Sequence, residues 1–269
     1  MFIVFEGADG VGKSSHADRL AERLRERTGT VIVRLHEPTN GPWGQRIRNA
    51  ARDGTRPDPR EEVRWFVEDR KEDVHCNILP ALDAGHIVIL DRYWYSTAAY
   101  QGARGVAFEE IAELHRAFAP RPDLVIWLTA PLDVARERIV SRRLVGPDSF
   151  ESLEEQRQVE RMFAEVFAAV AAEAGAPPIE RIESVGAFDE VADRVFCCVL
   201  RVGRLPSART TAAAQDQHLG VRHREPGTTH REVDTLRTPA LTQLEIEQKA
   251  WVADASAIAQ SLQQAGFAV

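Results

Sequence analysis

The sequence predicts an α/β fold in which a five-stranded parallel sheet carries helices on both faces. Short apolar runs alternate with longer segments whose apolar residues recur at helical spacings, through about residue 202 of 269. A glycine-rich loop joins the first run to the first helical segment, as in many sheets of this class. With 44% hydrophobic and 28% charged residues, the chain can bury a substantial core.

Five runs are predicted to be strands because each is short, apolar or β-branched, and bounded by turn residues. They are residues 2–5, 30–35, 87–90, 124–128 and 179–182. We expect the second run, TVIVRL, to be a buried strand. Because helical segments separate the strands, consecutive strands are expected to run parallel.

Eight segments are predicted to be helices from the spacing of their apolar residues. They are residues 15–27, 43–52, 60–82, a segment around residue 98, 108–118, 131–144, 153–174 and 188–200. The apolar stripe of the segment at 153–174 is typical of a helix that faces a core or a dimer partner.

The composition and the apolar periodicity of the chain change after residue 202. Residues 203–240 lack sustained periodicity and are rich in Thr, Ala, Arg and Gly, which predicts a flexible linker. Residues 241–269 regain a helical composition and are predicted to form a C-terminal helical tail of unknown role. The expected organisation is one folded domain at 1–202 with a C-terminal extension.

Charge and cysteine content indicate which partners and which cellular compartment to expect. The net charge of -7 argues against sequence-independent binding of nucleic acid or membranes, because both need accumulated positive charge. Cys76, Cys197 and Cys198 show no metal-ligand or redox spacing, which is typical of a reducing compartment. The sequence contains neither a targeting signal nor a run long enough to span a membrane, so we expect a cytoplasmic protein with no membrane and no polymeric nucleic-acid partner.

Residues 7–14, which read GADGVGKS, form the most informative stretch of the chain. Its glycines let successive backbone N–H groups point at phosphate oxygens, Lys13 adds charge for the β- and γ-phosphates, and the Ser14 hydroxyl can ligate Mg²⁺. Nine residues are therefore predicted to bind ATP: Gly7, Ala8, Asp9, Gly10, Val11, Gly12, Lys13, Ser14 and Ser15. A glycine turn before an ordinary helix is the competing interpretation.

Asp91 and Arg92 follow the third predicted strand, at the sheet edge where the phosphate loop also ends. A carboxylate there can hold Mg²⁺ directly or through water, and a guanidinium can clamp a phosphate. A structural Asp–Arg pair at a strand end explains the same residues equally well.

Five stretches resemble, in order and spacing, the motifs of one enzyme family. They are FIVFEGADGVGKS (2–14), EPT (37–39) with Gly44, Ile47 and Arg48, FVEDR (66–70), DRYWYSTAAYQG (91–102) and PDL (122–124). Together they resemble the thymidylate kinases, over about residues 1–202 and not over the tail. The resemblance implies a P-loop NTPase fold, a homodimer, and transfer of the ATP γ-phosphoryl group to the 5′-phosphate of dTMP with Mg²⁺ as cofactor.

The resemblance also implies which residues contact the nucleoside. Phe66 would stack on the pyrimidine ring, Arg70 would donate to thymine O4, and Thr97 would hydrogen-bond the base edge. Tyr100 would crowd the sugar 2′ position and favour deoxyribose. The competing interpretation makes Phe66 and Tyr100 core aromatics and Arg70 part of a solvated charge cluster.

The same resemblance implies residues for the phosphates. Asp9 would lie near the acceptor phosphate and the 3′-hydroxyl, Arg92 would grip that phosphate, and Glu37 would line the acceptor site. Lys13, Asp9 and Arg92 would be catalytic together with arginines of a closing lid, for which Arg138, Arg142 and Arg143 are the candidates.

The sequence departs from the family pattern at three positions. His36 stands where the family has Arg before its Glu-Pro pair, and Ser149 stands where a lid arginine is expected. Val11 replaces a basic residue of the phosphate loop, as in the branch that supplies its catalytic arginine from the lid. Arg142 and Arg143 must then compensate for Ser149.

Two alternatives follow from these departures. The first is a kinase for another pyrimidine or modified deoxynucleoside monophosphate. The second, of a different class, is a weakly active kinase fold that acts as an interaction module through its C-terminal tail.

Overall fold

Five parallel strands form a single sheet in the order β2-β3-β1-β4-β5. The strands are β1 Phe2–Glu6, β2 Ile32–His36, β3 Ile87–Asp91, β4 Leu124–Thr129 and β5 Ile179–Glu183. This computed structural model describes residues 1–142, 153–203 and 205. The predicted α/β fold with a five-stranded parallel sheet is confirmed. The predicted extension falls largely outside the described residues.

Nine α-helices lie within the described residues. They are α1 Lys13–Thr28, α2 Pro42–Arg52, α3 Pro59–Asp73, α4 Leu79–Asp83, α5 Trp94–Gly102, α6 Phe108–Arg116, α7 Leu132–Arg142, α8 Leu153–Ala172 and α9 Phe188–Val202. None of the helices in the described part of the chain is long and apolar enough to cross a membrane.

The prediction of one continuous α-helix over residues 60–82 was wrong, because a different kind of turn interrupts the helix. A π-helical turn, Val74–Ile78, separates α3 from α4. The cause is Pro80, which has no N–H and whose ring would clash with the carbonyl of residue 76 in a regular α-helix. The wider turn before Pro80 removes that clash.

The expectation that β2 is buried was also only partly met. Ile32 is buried, but the rest of the strand is half-buried or exposed. β2 pairs with β3 along one side and forms an edge of the sheet, so it lacks a second neighbour. By contrast, every residue of β1 and β3 is buried, as expected for central strands covered on both faces.

The position of β1 decides where a ligand can bind. The chain leaves β1 toward β2 on one side of the sheet, while β4 and β5 lie on the other side. The carboxyl ends of β1 and β3 are therefore at the point where the strand order reverses, which is where open α/β sheets bind ligands. The phosphate loop and Asp91 meet at this edge.

Glu6, the last residue of β1, fixes the chain that follows β3. Its fully buried carboxylate accepts hydrogen bonds from the backbone N–H of Tyr93 at 2.8 Å, the backbone N–H of Ser96 at 3.1 Å, and the Ser96 hydroxyl. These N–H groups belong to the first turn of α5, where a carboxylate also interacts favourably with the helix dipole. Glu6 thus ties the phosphate-loop strand to α5.

We expect Glu6→Ala to lower the free energy of unfolding by about 3 kcal/mol, because buried N–H and O–H groups would lose their acceptor. Glu6→Gln retains an acceptor oxygen and is expected to cost clearly less. Urea unfolding followed by circular dichroism measures both values.

Glu22→Ala is the matched control. Glu22 pairs with Arg19 at the surface, where both side chains are well exposed, so its loss should change stability by less than about 0.5 kcal/mol. Equal effects at Glu6 and Glu22 would contradict the anchoring role of Glu6.

Candidate active site

The loop between β1 and α1 has a backbone that requires glycine. Gly7, Gly10 and Gly12 adopt φ values of 135°, 83° and 90°. A Cβ on Gly7 would lie 2.2 Å from the carbonyl oxygen of Leu128, and one on Gly10 would lie 2.2 Å from that of Ala135. No side chain fits at either contact, so the loop can pack against its neighbours only with these glycines.

Lys13 begins α1, and its ammonium group is held against the loop. The side chain is 6% exposed, and Nζ donates a hydrogen bond of 2.7 Å to the carbonyl oxygen of Ala8. Burial and the nearby Arg92 together lower the pKa of Lys13 to about 8, although the carboxylates of Asp9, Asp91 and Glu6 oppose that shift. These carboxylates offset only part of the cost of burying the charge, so phosphate oxygens can supply further compensation.

Ser14 and Asp91 form a pair of oxygen ligands beside the loop. The Ser14 hydroxyl donates to Oδ2 of Asp91 at 2.5 Å, while Oδ1 of Asp91 is buried and makes no hydrogen bond to any described residue. Mg²⁺ prefers such hard oxygen ligands and commonly takes only one or two from protein, with phosphate and water supplying the rest. The described residues contain no cluster of three or more His, Cys, Asp or Glu that could hold a metal alone. The pair fits Mg²⁺.

Arg34 brings a cation to the same carboxylate. It lies two residues before His36, on the same face of β2, and its Nη2 is 3.5 Å from Oδ2 of Asp91. His36 itself is exposed, with Nδ1 3.0 Å from the carbonyl oxygen of Pro38. The family pattern has an arginine at position 36, where this chain has histidine. Arg34 places a positive charge on the same face of β2, two residues earlier.

Arg92 follows β3 with φ 71°, an uncommon value for a residue with a side chain. Its backbone N–H donates to the carbonyl oxygen of Phe5 at 2.9 Å, which stabilises this conformation. Its guanidinium contacts Oδ1 of Asp9 at 2.5 Å and the Ser96 hydroxyl at 3.1 Å, and it lies over the ring of Tyr100. Arg92 therefore connects the phosphate loop with α5, and its charge lowers the pKa of Asp9 to about 2.

A cleft of about 660 Å³ extends from the phosphate loop to α3 and α5. It is lined by all seven residues that the sequence analysis assigned to the acceptor nucleotide: Asp9, Glu37, Phe66, Arg70, Arg92, Thr97 and Tyr100. These residues come from four separate stretches of the chain, and the fold brings them to one concave surface.

Arg70 is not part of a solvated charge cluster, because only 1% of it is exposed. Its Nε donates to Glu37 at 2.8 Å, and Nη2 donates to Glu37 and, at 3.3 Å, to the Thr97 hydroxyl. Its Nη1 lies 2.7 Å from Nε2 of His115. Glu37 lines the cleft, and its carboxylate is engaged by Arg70, which offsets only part of the rise in the pKa of Glu37 that burial causes.

The sequence analysis missed His115, for which no local pattern gave a signal. Nδ1 of His115 lies 2.7 Å from the Ile111 carbonyl oxygen and must carry the proton, so Nε2 is the acceptor for Arg70. Burial and the charge of Arg70 lower the pKa of His115 to about 3. A neutral histidine therefore fixes the guanidinium of Arg70.

The EPT and FVEDR motifs form one structural unit, a relation that motif matching alone did not reveal. Asp69 accepts hydrogen bonds from the backbone N–H of Thr39 at 2.8 Å and from its hydroxyl at 2.6 Å. A Cβ on Gly44 would lie 1.9 Å from the carbonyl oxygen of Thr39, so glycine is required for this loop to pack on α2. Asp69 and Arg70 together hold the loop after β2 against α3.

The predicted lid is mostly outside the described residues. α7 ends at Arg142, and residues 143–152, which include Arg143 and Ser149, are not described, nor is the side chain of Arg142. Arg138, the third candidate, donates to the backbone carbonyl oxygen of Ser184 at 2.8 Å and to its hydroxyl at 3.2 Å. It thus lies against the loop after β5.

We predict that His115→Gln reduces the pH dependence of stability. The unfolded chain protonates this histidine below its usual pKa of 6.5, but the folded chain does so only near about 3. The free energy of unfolding of the wild type should therefore fall as the pH falls, by about 2 kcal/mol between pH 7 and pH 5, as far as this residue contributes. Urea unfolding at several pH values measures the difference between the two proteins, and parallel curves would contradict a neutral buried His115.

Comparisons with known proteins agree with this arrangement. The thymidylate kinase family profile matches residues 5–183. A thymidylate kinase of Desulfotalea psychrophila is 45% identical over 161 residues, which cover 60% of this chain and 79% of the relative. One of Akkermansia muciniphila is 43% identical over 193 residues, 72% of this chain and 88% of the relative. A probable thymidylate kinase of Archaeoglobus fulgidus is 41% identical over 165 residues, 61% of this chain and 81% of the relative.

The profile extends from the end of β1 to the end of β5 and so includes the phosphate loop, the cleft and the Glu37–Arg70 pair. The chain therefore belongs to the thymidylate kinase family.

Proposed function

We propose that this protein transfers the γ-phosphoryl group of ATP to the 5′-phosphate of dTMP, giving dTDP and ADP. The observation that carries the proposal is the continuous cleft between the phosphate loop and α3, with Asp9 and Arg92 near one end and Phe66 and Arg70 lining it further on. A nucleoside monophosphate offers a phosphate to Arg92 and a base to Phe66 and Arg70. The names of the relatives support the same substrates for this chain.

The acceptor base lies between α3 and α5 in this proposal. Phe66 is half-buried and offers an aromatic face for stacking, and Arg70 offers its remaining N–H group to O4 of the base. Thr97 hydrogen-bonds the base edge, and Tyr100 excludes a 2′-hydroxyl by its bulk. Glu37 acts through Arg70, whose orientation it fixes.

Phosphoryl transfer needs alignment of the two phosphates and positive charge around them more than it needs a general base. The acceptor phosphate is already anionic near neutral pH, because its second pKa is about 6. Its oxygen attacks the γ-phosphorus while the bond to the leaving ADP oxygen breaks, with no proton to be removed by the protein. Lys13 and Arg92 supply charge and orientation, and Asp9 accepts a hydrogen bond from Arg92.

Ser14 and Asp91 are the residues that would hold Mg²⁺. When bound, the ion neutralises charge on the β- and γ-phosphates. The backbone amides of residues 7–15 bind the triphosphate of ATP. Arg142 and Arg143 are proposed to approach the transferring group from the lid.

Neither alternative gains a supporting observation among the described residues. The relatives compared above are named thymidylate kinases, which favours dTMP over other pyrimidine monophosphates. The interaction-module alternative rested on an impaired lid, whereas Lys13, Asp91 and Arg92 are all assembled around the loop.

We further propose a cytoplasmic homodimer whose kinase domain comprises residues 1–202, with a linker at 203–240 and a helical tail at 241–269. No membrane or polymeric nucleic-acid partner is part of this proposal. The apolar stripes of the helices and the acidic net charge support it.

A coupled ADP-release assay with dTMP, dUMP, dCMP and UMP tests the substrate. We expect dTMP to exceed each of the others in kcat/KM by about tenfold or more. Arg92→Ala should lower kcat with dTMP by about 10³-fold, because an arginine on the transferring or accepting phosphate contributes on that scale.

Arg64→Ala is the matched control, since Arg64 is an exposed arginine of α3 whose only ion pair within the described residues is with Glu61. Its activity should equal that of the wild type. Turnover of dUMP, dCMP or UMP above that of dTMP would contradict the proposed substrate, and an active Arg92→Ala would contradict the proposed role of Arg92.

Truncation after Leu205 tests the domain proposal. Leu205 packs against the core of the kinase domain, so the cut should follow it and not Gly203. We expect the truncated protein to retain the kcat/KM of the full chain with dTMP and its sedimentation as a dimer. A loss of activity or of the dimer would assign residues 206–269 a part in catalysis or assembly.

A further inference from the structure

Arg34 is a charged side chain beside the proposed Mg²⁺ site to which neither the sequence analysis nor the proposed function assigns a role. It lies on β2, at the edge of the sheet, and its side chain is 20% exposed. Its Nε lies 2.9 Å from Oδ1 of Asp18, its Nη2 lies 3.5 Å from Oδ2 of Asp91, and its Nη1 donates to the carbonyl oxygen of Leu35. The guanidinium thus bridges two carboxylates, and one of them is a proposed metal ligand.

The fold places both carboxylates next to the phosphate loop. Asp18 lies four residues beyond Ser14 in α1, on the same face of that helix. Asp91 ends β3, which pairs in parallel with the strand that carries Arg34. Since the Ser14 hydroxyl donates to Asp91, these four side chains form one polar network beside the loop.

The two ion pairs of Arg34 differ in geometry. The distance of 2.9 Å to Asp18 is an ordinary hydrogen-bond length, whereas 3.5 Å to Asp91 is at the long limit. Asp18 therefore holds the guanidinium near the site. The contact with Asp91 is the weaker one, and it can be given up while the contact with Asp18 is kept.

The carboxylate of Asp91 is only partly used by the protein. Oδ2 accepts from Ser14 and Arg34, while Oδ1 is buried and has no hydrogen-bond partner within residues 1–142, 153–203 and 205. Oδ1 is then the oxygen that is left for a metal or for one of its water ligands. A guanidinium does not lose its proton in proteins, so any metal at this carboxylate meets a permanent positive charge.

Other cations also depend on this carboxylate. The charge of Asp91 acts favourably on Lys13 and on Arg92, both of which lie beside the phosphate loop. A divalent cation that approached the protein alone would be repelled by these side chains and by Arg34. The phosphates of a nucleotide bring the negative charge that offsets this repulsion.

We propose that Arg34 competes with Mg²⁺ for the carboxylate of Asp91, so that the protein binds Mg²⁺ firmly only together with the phosphates of a nucleotide. The metal then arrives and leaves with the nucleotide. Arg34 acts through Asp91 and does not contact the nucleotide in this proposal. The inference rests on the proposed function and adds what sets the affinity of that site for its metal.

The test measures the Kd of ADP by isothermal titration calorimetry, once with excess EDTA and once with saturating Mg²⁺. The Kd in EDTA divided by the Kd in Mg²⁺ reports the affinity of the protein–ADP complex for Mg²⁺, because the affinity of free ADP for Mg²⁺ is the same for every variant. We expect Arg34→Met to raise this ratio by about tenfold, because a positive charge is removed from the carboxylate that the metal uses.

Arg34→Lys separates charge from packing. Lysine keeps the positive charge on a flexible side chain, so it should restore most of the wild-type ratio. A purely structural role of Arg34 would change the Met and Lys variants alike. A ratio that is unchanged or lower in Arg34→Met, or a Lys variant that equals the Met variant, would overturn the inference.

Arg23→Met is the matched control. Arg23 is also a partly buried arginine paired with an aspartate, since its side chain is 26% exposed and its Nη1 lies 2.7 Å from Oδ1 of Asp193. Its ion pair and its ring contact within the described residues are with Asp193 and Phe196, so the ratio should equal that of the wild type. An equal rise in Arg23→Met would show that the effect comes from the net charge of the protein, and would overturn the inference.

If Arg34→Met fails to fold, Arg34→Gln carries the test, because glutamine is uncharged but can still donate to Asp18. The same rise is expected, and its absence overturns the inference. A wild-type protein that binds no ADP, or that does not phosphorylate dTMP, would contradict the proposed function itself. Both results are obtained before any variant is compared.

Discussion

The buried ion pair between Arg70 and Glu37 is the constraint on which the cleft depends. Both side chains are at most 2% exposed, and an ion pair removed from water is unfavourable unless its remaining hydrogen-bonding groups are satisfied. His115 and Thr97 provide two of those partners, and the ring of Tyr93 lies 5.3 Å from the guanidinium carbon. The pair fixes the loop after β2 against α3 and so sets the position of this wall of the cleft.

A second buried carboxylate, that of Glu6, fixes the other end of the cleft, beside the phosphate loop. Glu6 joins the last residue of β1 to the first turn of α5, and Arg92 lies between the two. The positive φ of Arg92 is tolerated because its own N–H and that of Tyr93 are both bound to the end of β1. Both ends of the cleft are thus built around buried acids that accept hydrogen bonds from neighbouring groups of the protein.

The sheet and the cleft residues could both be predicted from the sequence, but from different features of it. The central strands are continuous apolar runs, which identify buried parallel strands without further information. Phe66, Arg70 and Arg92 were found because they belong to motifs with a recognisable spacing. The less buried β2 was misjudged, since an edge position depends on strand order, which local sequence does not encode.

The remaining parts of the site depend on contacts between distant residues. Nothing near His115 indicates that it accepts a hydrogen bond from Arg70, 45 positions earlier. Likewise, the orientation of the Gln101 amide depends on Arg104, and that of Arg104 depends on Glu62, 42 positions away. Pro80 did give a local signal for the interrupted helix, and its effect on the preceding turn could have been predicted.

The two arginines of the cleft differ in how firmly their carboxylates hold them, and this difference matches two tasks. Arg70 is paired with a carboxylate that is 2% exposed and cannot be replaced by a ligand without leaving a buried charge unpaired. Arg92 is paired with Asp9, whose side chain is 57% exposed, so water weakens that pair. In the proposed function, an incoming phosphate competes with Asp9 for Arg92, whereas a base only adds a hydrogen bond to Arg70. On that proposal the fold gives a fixed cation to the neutral part of the substrate and an exchangeable one to the charged part.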